Sequence, residues 1–234
     1  YNHKGSVSGS YGSGSVSGSI YIGGLVGRNK GGISGSYGSG SVSGSTYVGV
    51  LVGYNHKGSV SGSYGSGSVS GNNGVGGLVG YNYKGSVSSS YASGSVSGNN
   101  QVGGLVGENK YGSISSSFWD VDSSGVSLSS GGDGKSTAQM RDQSSYPDTW
   151  DFSSVWVIDA NINDGYPYLR GQGCRKADLK CGVRAGQDFL TICVDQTLRS
   201  FECAIGCQDT EDRSFCGCFD AAQDPIPLCS CGDL

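Results

Sequence analysis

The sequence predicts an all-β protein built around a parallel β-solenoid of about five rungs, because residues 1–117 repeat every 26 or 27 residues. The segment 1–18 recurs letter for letter at 54–71, and the motif G-[GV]-L-V-G returns at steps of 26, 27 and 27 residues. Such a period indicates stacked units that are each too small to bury a core alone. Glycine and serine dominate the unit and disfavour helix. Short β-branched segments alternate with polar residues, so each rung should contain three or four very short strands.

A turn is predicted where the repeats differ in length. The interval from the asparagine that recurs in each repeat to the next apolar residue is five residues in four copies, but four between Asn29 and Ile33. Loops tolerate deletions better than stacked strands do, so Lys4, Lys57 and Lys84 should lie at a solvated corner. The apolar residues after this turn should form one inward column, namely Val7, Ile33, Val60, Val87 and Ile114.

Two further columns follow from the period. One is asparagine, at Asn2, Asn29, Asn55, Asn82 and Asn109; the other is aromatic, at Tyr11, Tyr37, Tyr64, Tyr91 and Phe118. Stacked amides and stacked rings both stabilise successive rungs, so we expect a structural role for each column. A sugar-binding strip is the alternative for the aromatic column. Residues 1–18 are identical to an internal copy, so we expect another subunit or further repeats to cover this unpaired edge.

The segments G-G-L-V-G-x-N and G-S-V-S-x-S-Y-x-S-G-S-V-S-G resemble the GLUG-motif repeats of bacterial and archaeal surface proteins. The likeness continues into FWDVDSSG (118–125), STAQMRD (136–142), WDFSSVW (150–156) and NDGYPYLR (163–170). It implies a secreted or surface-displayed β-solenoid. It implies no single activity, because these repeats occur in adhesins, in large surface proteins and beside peptidase domains. Residues 171–234 lie outside the resemblance.

Residues 118–170 form the predicted capping segment, which is rich in aromatic residues. Terminal units of a solenoid must be covered, so we expect this segment to close the C-terminal end of the stack. Ser136 and Gln139 have the spacing of a capping box, which predicts a short helix near 137–142.

Residues 171–234 contain all nine cysteines and are predicted to form a small disulfide-rich module with one helix near 189–205. Such a cysteine density is typical of an oxidising, extracellular setting. Zinc is the alternative, although this segment has no histidine and no paired C-x-x-C. Nine is an odd number, so at least one cysteine is free or joins two chains. The disulfide candidates are Cys174, Cys181, Cys193, Cys203, Cys207, Cys216, Cys218, Cys229 and Cys231.

The rest of the chain has only weak signals for a calcium site or a catalytic site. Asp120, Asp122 and Ser124 match the first half of a calcium loop, but the twelfth position is Gly131, so an Asp-rich turn is the alternative. Glycoside hydrolysis needs two carboxylates, and residues 1–117 contain one acid, Glu108. His3 and His56 occupy a turn position at which other copies have lysine or tyrosine. We therefore expect neither an enzyme nor a cofactor.

The charge is split between the two halves of the chain. Residues 1–117 carry six Lys/Arg and one acid, a net +5, whereas residues 118–234 carry nine Lys/Arg and eighteen acids, a net −9. The basic half is too weakly charged to indicate nucleic acid as a partner. The asymmetry favours contact between copies, or is simply that of a solvated surface.

These observations lead to a structural hypothesis. The chain is interpreted as a subunit of an extracellular cell-envelope polymer (a sheath, surface layer or filament) assembled by β-edge stacking and disulfides. The alternative is an adhesin or carbohydrate-binding surface module, with a surface glycan as partner. No signal peptide and no membrane-spanning run is recognised. The chain begins in mid-repeat at Tyr1, so we expect it to be a processed or fragmentary form.

Overall fold

The computed structural model describes residues 1–170, 180–184, 187–194 and 197–202. The chain divides into two compact units, Tyr1–Leu169 and Arg170–Leu234. The first unit contains the predicted parallel β-solenoid, which confirms the fold class. Three strands belong to the second unit.

Four complete rungs of five strands each follow one another. Rung 1 contains β1 (Ser6–Ser8), β2 (Tyr11–Gly12), β3 (Val16–Ser17), β4 (Ile20–Gly23) and β5 (Val26–Asn29). Rung 2 contains β6 (Gly32–Ser34), β7 (Tyr37–Gly38), β8 (Val42–Ser43), β9 (Thr46–Gly49) and β10 (Val52–His56). Rung 3 contains β11 (Ser59–Ser61), β12 (Tyr64–Gly65), β13 (Val69–Ser70), β14 (Asn73–Gly76) and β15 (Val79–Tyr83). Rung 4 contains β16 (Ser86–Ser88), β17 (Tyr91–Ala92), β18 (Val96–Ser97), β19 (Asn100–Gly103) and β20 (Val106–Lys110).

The strand count differs from the three or four expected per rung. A glycine-containing bend separates the two-residue strand at each tyrosine from the two-residue Val-Ser strand, so these remain distinct elements. A fifth rung contains only β21 (Ser113–Ser115) and β22 (Phe118–Asp120). The start of the chain in mid-repeat predicts an incomplete first rung, whereas the incomplete rung is the last one. Asn2 also bridges to Asn29 ahead of rung 1.

Equivalent strands pair in parallel and form five sheets that run along the solenoid axis. The sheets are numbered after the strand of rung 1 that they contain, so the first sheet contains β1 and the fifth contains β5. The first sheet carries the predicted inward column: Val7 pairs with Ile33, and Val60 pairs with both Ile33 and Val87. Ile33 and Val60 are fully buried, and Ile114 packs against the same core cluster. This result confirms the register. Burial of each such side chain contributes roughly 1.5–3 kcal/mol.

The last rung is closed by residues 128–135. Gly104 N–H donates to the Leu128 carbonyl at 3.0 Å, and the N–H groups of Leu105 and Val106 donate to Ser129 Oγ at 3.2 and 3.0 Å. Strand β23 (Asp133–Lys135) then pairs in parallel with β22. The C-terminal edge is thereby paired with its own chain in the second and fifth sheets, while β21, β18 and β19 are the last strands of the other three.

The capping segment contains only short elements. These are α1 (Val121–Ser124), α2 (Thr137–Met140), β24 (Trp156–Val157), β25 (Tyr168–Leu169) and the 3-10 turns Gln143–Ser145 and Asn163–Gly165. Ser136 and Gln139 form the predicted capping box at α2. Trp119 packs into the central core beside Gly104, whereas Tyr146, Trp150, Trp156 and Tyr166 pack with the tyrosine column at the side of the solenoid. They cover the tyrosine column, whose rings offer a continuous apolar surface that needs burial.

The second unit contains an antiparallel sheet in place of the predicted helix near 189–205. Its strands are β26 (Lys180–Arg184), β27 (Gln187–Val194) and β28 (Thr197–Glu202). The helical spacing of the apolar residues was misleading, because the run from Phe189 to Val194 is rich in β-branched and aromatic residues that favour strands. Cys181 and Cys193 lie in β26 and β27. The other seven cysteines lie outside the described residues, and so do residues 203–205 of the expected helix.

Candidate functional site

The asparagine column forms a hydrogen-bonded ladder inside the solenoid. Asn55 Nδ2 donates to Asn82 Oδ1 at 2.8 Å and to the Gly58 carbonyl at 3.1 Å, and the same amide contact joins Asn2 through Asn109. Asn55 and Asn82 are fully buried. A Cβ at Gly85 would lie 2.4 Å from Asn55 Nδ2, which explains the glycine in this turn. The column is structural, as predicted.

A second polar ladder, of serine, was not predicted. The N–H groups of Ser36, Ser63 and Ser90 each donate to the Oγ of the equivalent serine in the next rung at 3.2 Å. Each hydroxyl in turn donates to a backbone carbonyl two residues earlier, as Ser63 Oγ does to Ser61 at 2.8 Å. The signal in the sequence was a serine immediately before each column aromatic. It was hidden because serine occurs throughout the repeat.

The predicted aromatic column is buried and does not form a sugar-binding strip. Tyr64 stacks on both Tyr37 and Tyr91, with ring centroids 5.0 Å apart, and Trp156 and other cap residues cover these rings. The Tyr91 hydroxyl donates to the Pro167 carbonyl at 2.5 Å. Burial raises the pKa of Tyr91 well above its ordinary value. Only the first member of the column, Tyr11, is largely exposed.

A different set of tyrosines lies outside the three core clusters, and of these only Tyr54 is buried. We call Tyr21, Tyr47, Tyr54 and Tyr81 the tyrosine face; their centroids are 4.7–6.2 Å apart and their planes nearly parallel. Tyr21 and Tyr47 have positive φ values of 58° and 55°, which is unusual for a bulky residue. The next position in this column is Gly74, where a Cβ would lie 2.5 Å from the Tyr47 ring. The tyrosine face occurs in only part of the solenoid, so periodicity did not reveal it.

Charged residues bound the tyrosine face at both ends. Arg28 pairs with Tyr54 across the fifth sheet, and its guanidinium lies 5.3 Å from the Tyr54 ring centroid. Glu108 pairs with Tyr81 at the other end. Burial, with a further contribution from Glu108, raises the pKa of Tyr81 to about 12.

A basic groove runs along the corner that the sequence assigned to lysine. This lysine groove has a volume of about 500 Å³; its side chains come from Lys30, Lys57, Lys84, Tyr111, Ser59, Ser86 and Ser113, with glycines between them. Lys57 and Lys84 are exposed, as predicted. Lys84 Nζ lies 5.3 Å from the Tyr83 ring centroid and 5.9 Å from that of Tyr111. The groove therefore combines cations, hydroxyl groups and aromatic edges.

The two histidines lie beside this basic surface. The Tyr54 hydroxyl and His56 Nδ1 share a hydrogen bond of 2.7 Å. Burial lowers the pKa of His56, and the charges of Arg28, Lys30, Lys57 and Lys84 lower it further. The His3 ring lies 5.8 Å from that of Tyr1.

Asp120, Asp122 and Ser124 lie together in the turn around α1. Asp120 Oδ1 accepts from the N–H of Asp122 at 2.8 Å, and Oδ2 accepts from Thr137 Oγ1 at 2.7 Å and from the Tyr166 hydroxyl. Burial alone would raise the pKa of Asp120, but these hydrogen bonds lower it on balance. The bonds give the turn a structural role, since it ties the fifth rung to α2 and to Tyr166. Within the described ranges, no group of three or more His, Cys, Asp and Glu residues is gathered as a metal site.

The repeated rungs and axial ladders define a parallel β-solenoid repeat protein. A family model described as the GLUG motif matches residues 71–97, one period of the repeat. Repeat and fold together are typical of surface-associated repeat proteins. No curated protein and no solved structure matches the chain. In the part of the chain that the structure describes, no helix is long and apolar enough to cross a membrane.

Proposed function

We propose that this chain is a non-catalytic structural segment of an extracellular surface protein, in which the solenoid is a rigid rod within a cell-envelope sheath, layer or filament. The observation that carries this proposal is the continuity of the internal ladders. The asparagine ladder alone makes four amide contacts of 2.8–2.9 Å, from Asn2 ahead of rung 1 to Asn109 in rung 4. Buried polar networks whose members are all satisfied rigidify a core.

The two ends of the rod differ in what they offer for assembly. Tyr11 in rung 1 is 53% exposed, whereas the equivalent Tyr37 in rung 2 is 5% exposed. The last rung is paired with residues 128–135. The exposed strands of rung 1 can therefore stack on a second copy or on further rungs of the same polypeptide. A longer polymer of stacked copies needs another contact as well, and the cysteine-rich module would supply it through disulfides.

Electron microscopy and light scattering of the 234-residue chain test the non-covalent part. We expect concentration-dependent association that the double variant Tyr11→Lys, Ile20→Lys abolishes, because both residues are exposed on rung 1. Leu128→Lys is the matched control, since Leu128 is exposed at the opposite end. A wild-type chain that stays monomeric at high concentration would contradict edge stacking between copies.

The covalent part is tested by gel electrophoresis of native material with and without reductant. We expect a species above the 23.9 kDa monomer that collapses to the monomer on reduction, because an odd cysteine in a dense assembly is held close to its equivalents. A sample that already runs as a monomer without reductant would remove disulfides from the proposal and leave the non-covalent contact.

A second candidate function is that of an adhesin or carbohydrate-binding module. It is favoured by the position of the tyrosine face and the lysine groove, which both lie on or beside the fifth sheet, away from the aromatic column that the cap covers. An array of neutral and charged glycans tests this candidate. The absence of binding to any of them would rule it out.

A further inference from the structure

We propose that the lysine groove binds a linear acidic polysaccharide that carries a carboxylate on each sugar and lies along the solenoid axis. This inference rests on the second candidate function and gives it a ligand class. The proposal stands on four features of the described solenoid: where its cations lie, how the groove is shaped, how its backbone is bent, and how its charge compares with that of the capping segment.

The first feature is the concentration of charge. All six cations of residues 1–117 lie in the fifth sheet or in the turn that leads from it to the first sheet: Lys4, Arg28, Lys30, Lys57, Lys84 and Lys110. The only acid of this region is Glu108. The net +5 is therefore confined to one strip of a surface that is otherwise uncharged. A strip of one sign attracts a ligand of the opposite sign and raises its local concentration.

The second feature is the shape of the groove. Lys30, Lys57 and Lys84 come from consecutive rungs, whose parallel strands lie roughly 4.8 Å apart. Lys57 and Lys84 are level with each other because the rungs stack in register, and Tyr111 is the next member of this column. Lys30 follows Asn29 directly and is level with His56, one position before the column. Serine hydroxyls from rungs 3 to 5 line the same groove and can hydrogen-bond to sugar oxygens. A polymer with one acid per unit matches such a row.

The third feature is the backbone at the lysine positions. Lys57, Lys84 and Tyr111 have positive φ values of 58°, 52° and 59°, a conformation that glycine adopts without a steric penalty. In the turn after the first sheet, the left-handed position is glycine in rungs 1 to 3 and serine in the next two, at Ser89 and Ser116. A glycine-rich repeat that keeps lysine and tyrosine in this conformation points to a use for their side chains, since backbone outliers cluster at ligand sites.

The main competitor for the groove is the acidic half of a second copy. Residues 118–170 carry eight acids and three Lys/Arg, a net −5. Their exposed acids, such as Asp122, Asp142 and Asp151, lie in separate turns of the capping segment. Lysines at the same corner of consecutive rungs fit a linear polymer along the axis better than they fit charges dispersed over several turns.

The experiment is titration calorimetry of the 234-residue chain with polygalacturonate at low and at high salt. The matched ligand control is the same polymer with its carboxylates methyl-esterified. The double variant Lys57→Gln, Lys84→Gln removes two charges from the groove, where both side chains are exposed. The double variant Ser43→Glu, Ser97→Glu lowers the net charge by the same amount on exposed residues of the third sheet.

We expect polygalacturonate to bind at low salt, to weaken as salt rises, and to bind at least fivefold more weakly to the lysine variant. The serine variant should stay within about twofold of the wild type, because charges beyond a Debye length are screened. Equal weakening of both variants would overturn the proposal, since only net charge would then matter. Equal binding of the esterified polymer would also overturn it and leave a neutral-glycan module in place. Binding to no glycan of any charge would remove the second candidate function itself.

Two further outcomes would assign the groove to another occupant. Tighter binding of double-stranded DNA than of polygalacturonate, with the same loss in the lysine variant, would identify nucleic acid. A salt-sensitive increase in mass by sedimentation, abolished in the lysine variant alone and present without any glycan, would identify the acidic half of a second copy. Either result would overturn the polysaccharide proposal.

Discussion

The solenoid carries two stacks of aromatic rings with similar internal geometry and opposite surroundings. The buried column of Tyr37, Tyr64 and Tyr91 has centroids 5.0 Å apart, and the tyrosine face has centroids as close as 4.7 Å. The capping segment packs Trp150 and Trp156 over the first stack. Stacking is therefore set by the repeat, whereas burial is set by the non-repeating segment. The segment that covers one side therefore decides which surface of the solenoid stays open to solvent.

A substitution in the inward column should cause the largest loss of stability. Val60→Asp should unfold rung 3 and its neighbours, because it puts an unpaired carboxylate at a fully buried position between Ile33 and Val87. An uncompensated buried charge costs roughly 3–5 kcal/mol. The measurement is urea unfolding followed by circular dichroism, with Ser59→Asp on the same strand, at an exposed position, as the control. Similar unfolding midpoints for the two variants would contradict the inward register.

A direct comparison of the two stacks uses one substitution in each. Tyr91→Ala should lower the free energy of unfolding by about 3–5 kcal/mol, as for other large buried aromatics. Tyr91 is fully buried, and its hydroxyl bonds Pro167 and Asn163. Tyr81→Ala should cost about 1 kcal/mol, the value of an aromatic pair beyond its buried area. Equal losses in urea unfolding would mean that the cap does not distinguish the two stacks.

The same contrast between inside and outside applies to the amides. Asn55→Ala removes one acceptor of Asn29 Nδ2 and the donor to Asn82 Oδ1 in a buried ladder. We expect a loss of roughly 1–3 kcal/mol. Asn99→Ala removes an exposed contact of 3.4 Å to Asn72 and should change stability by less than about 0.5 kcal/mol. If thermal unfolding showed the larger loss for Asn99→Ala, the ladder would not be the element that joins the rungs.

The smallest effect at neutral pH, and one that grows in alkali, is the ionisation of the buried column. Burial raises the pKa of Tyr64 and Tyr91 above the unfolded value of 10.0. Below pH 10 the folded and unfolded states are equally protonated. Above it, the unfolded chain releases protons that the folded chain retains, so stability falls as pH rises. We expect Tyr64→Phe to lessen this fall in denaturation curves collected across the alkaline range, and an unchanged slope would contradict the burial of Tyr64.

The sequence was sufficient to predict the columns whose residues stand out in every rung, but not the serine ladder, because serine occurs throughout the repeat. Val60, Asn55 and Tyr64 each have equivalents 26 or 27 residues apart, so their columns and their register could be predicted, and for the Val60 column the inward direction as well. Features that depend on non-repeating contacts could not. The burial of Tyr91 depends on Trp156 and Pro167, which lie 65 and 76 residues further along the chain. The apolar spacing predicts a helix near 189–205 where the structure has β27 and β28, because short apolar runs satisfy both the helical and the strand periodicity.

The most direct test of the division between a covered and an open side is chemical modification of tyrosine in the native chain. Nitration followed by peptide mass spectrometry reads each tyrosine separately. The structure predicts rapid modification of Tyr21, Tyr47 and Tyr81, with Tyr11 and Tyr111 as exposed references, and protection of Tyr37, Tyr64 and Tyr91 until the chain unfolds. Equal modification of the two stacks under native conditions would contradict the covering of the aromatic column.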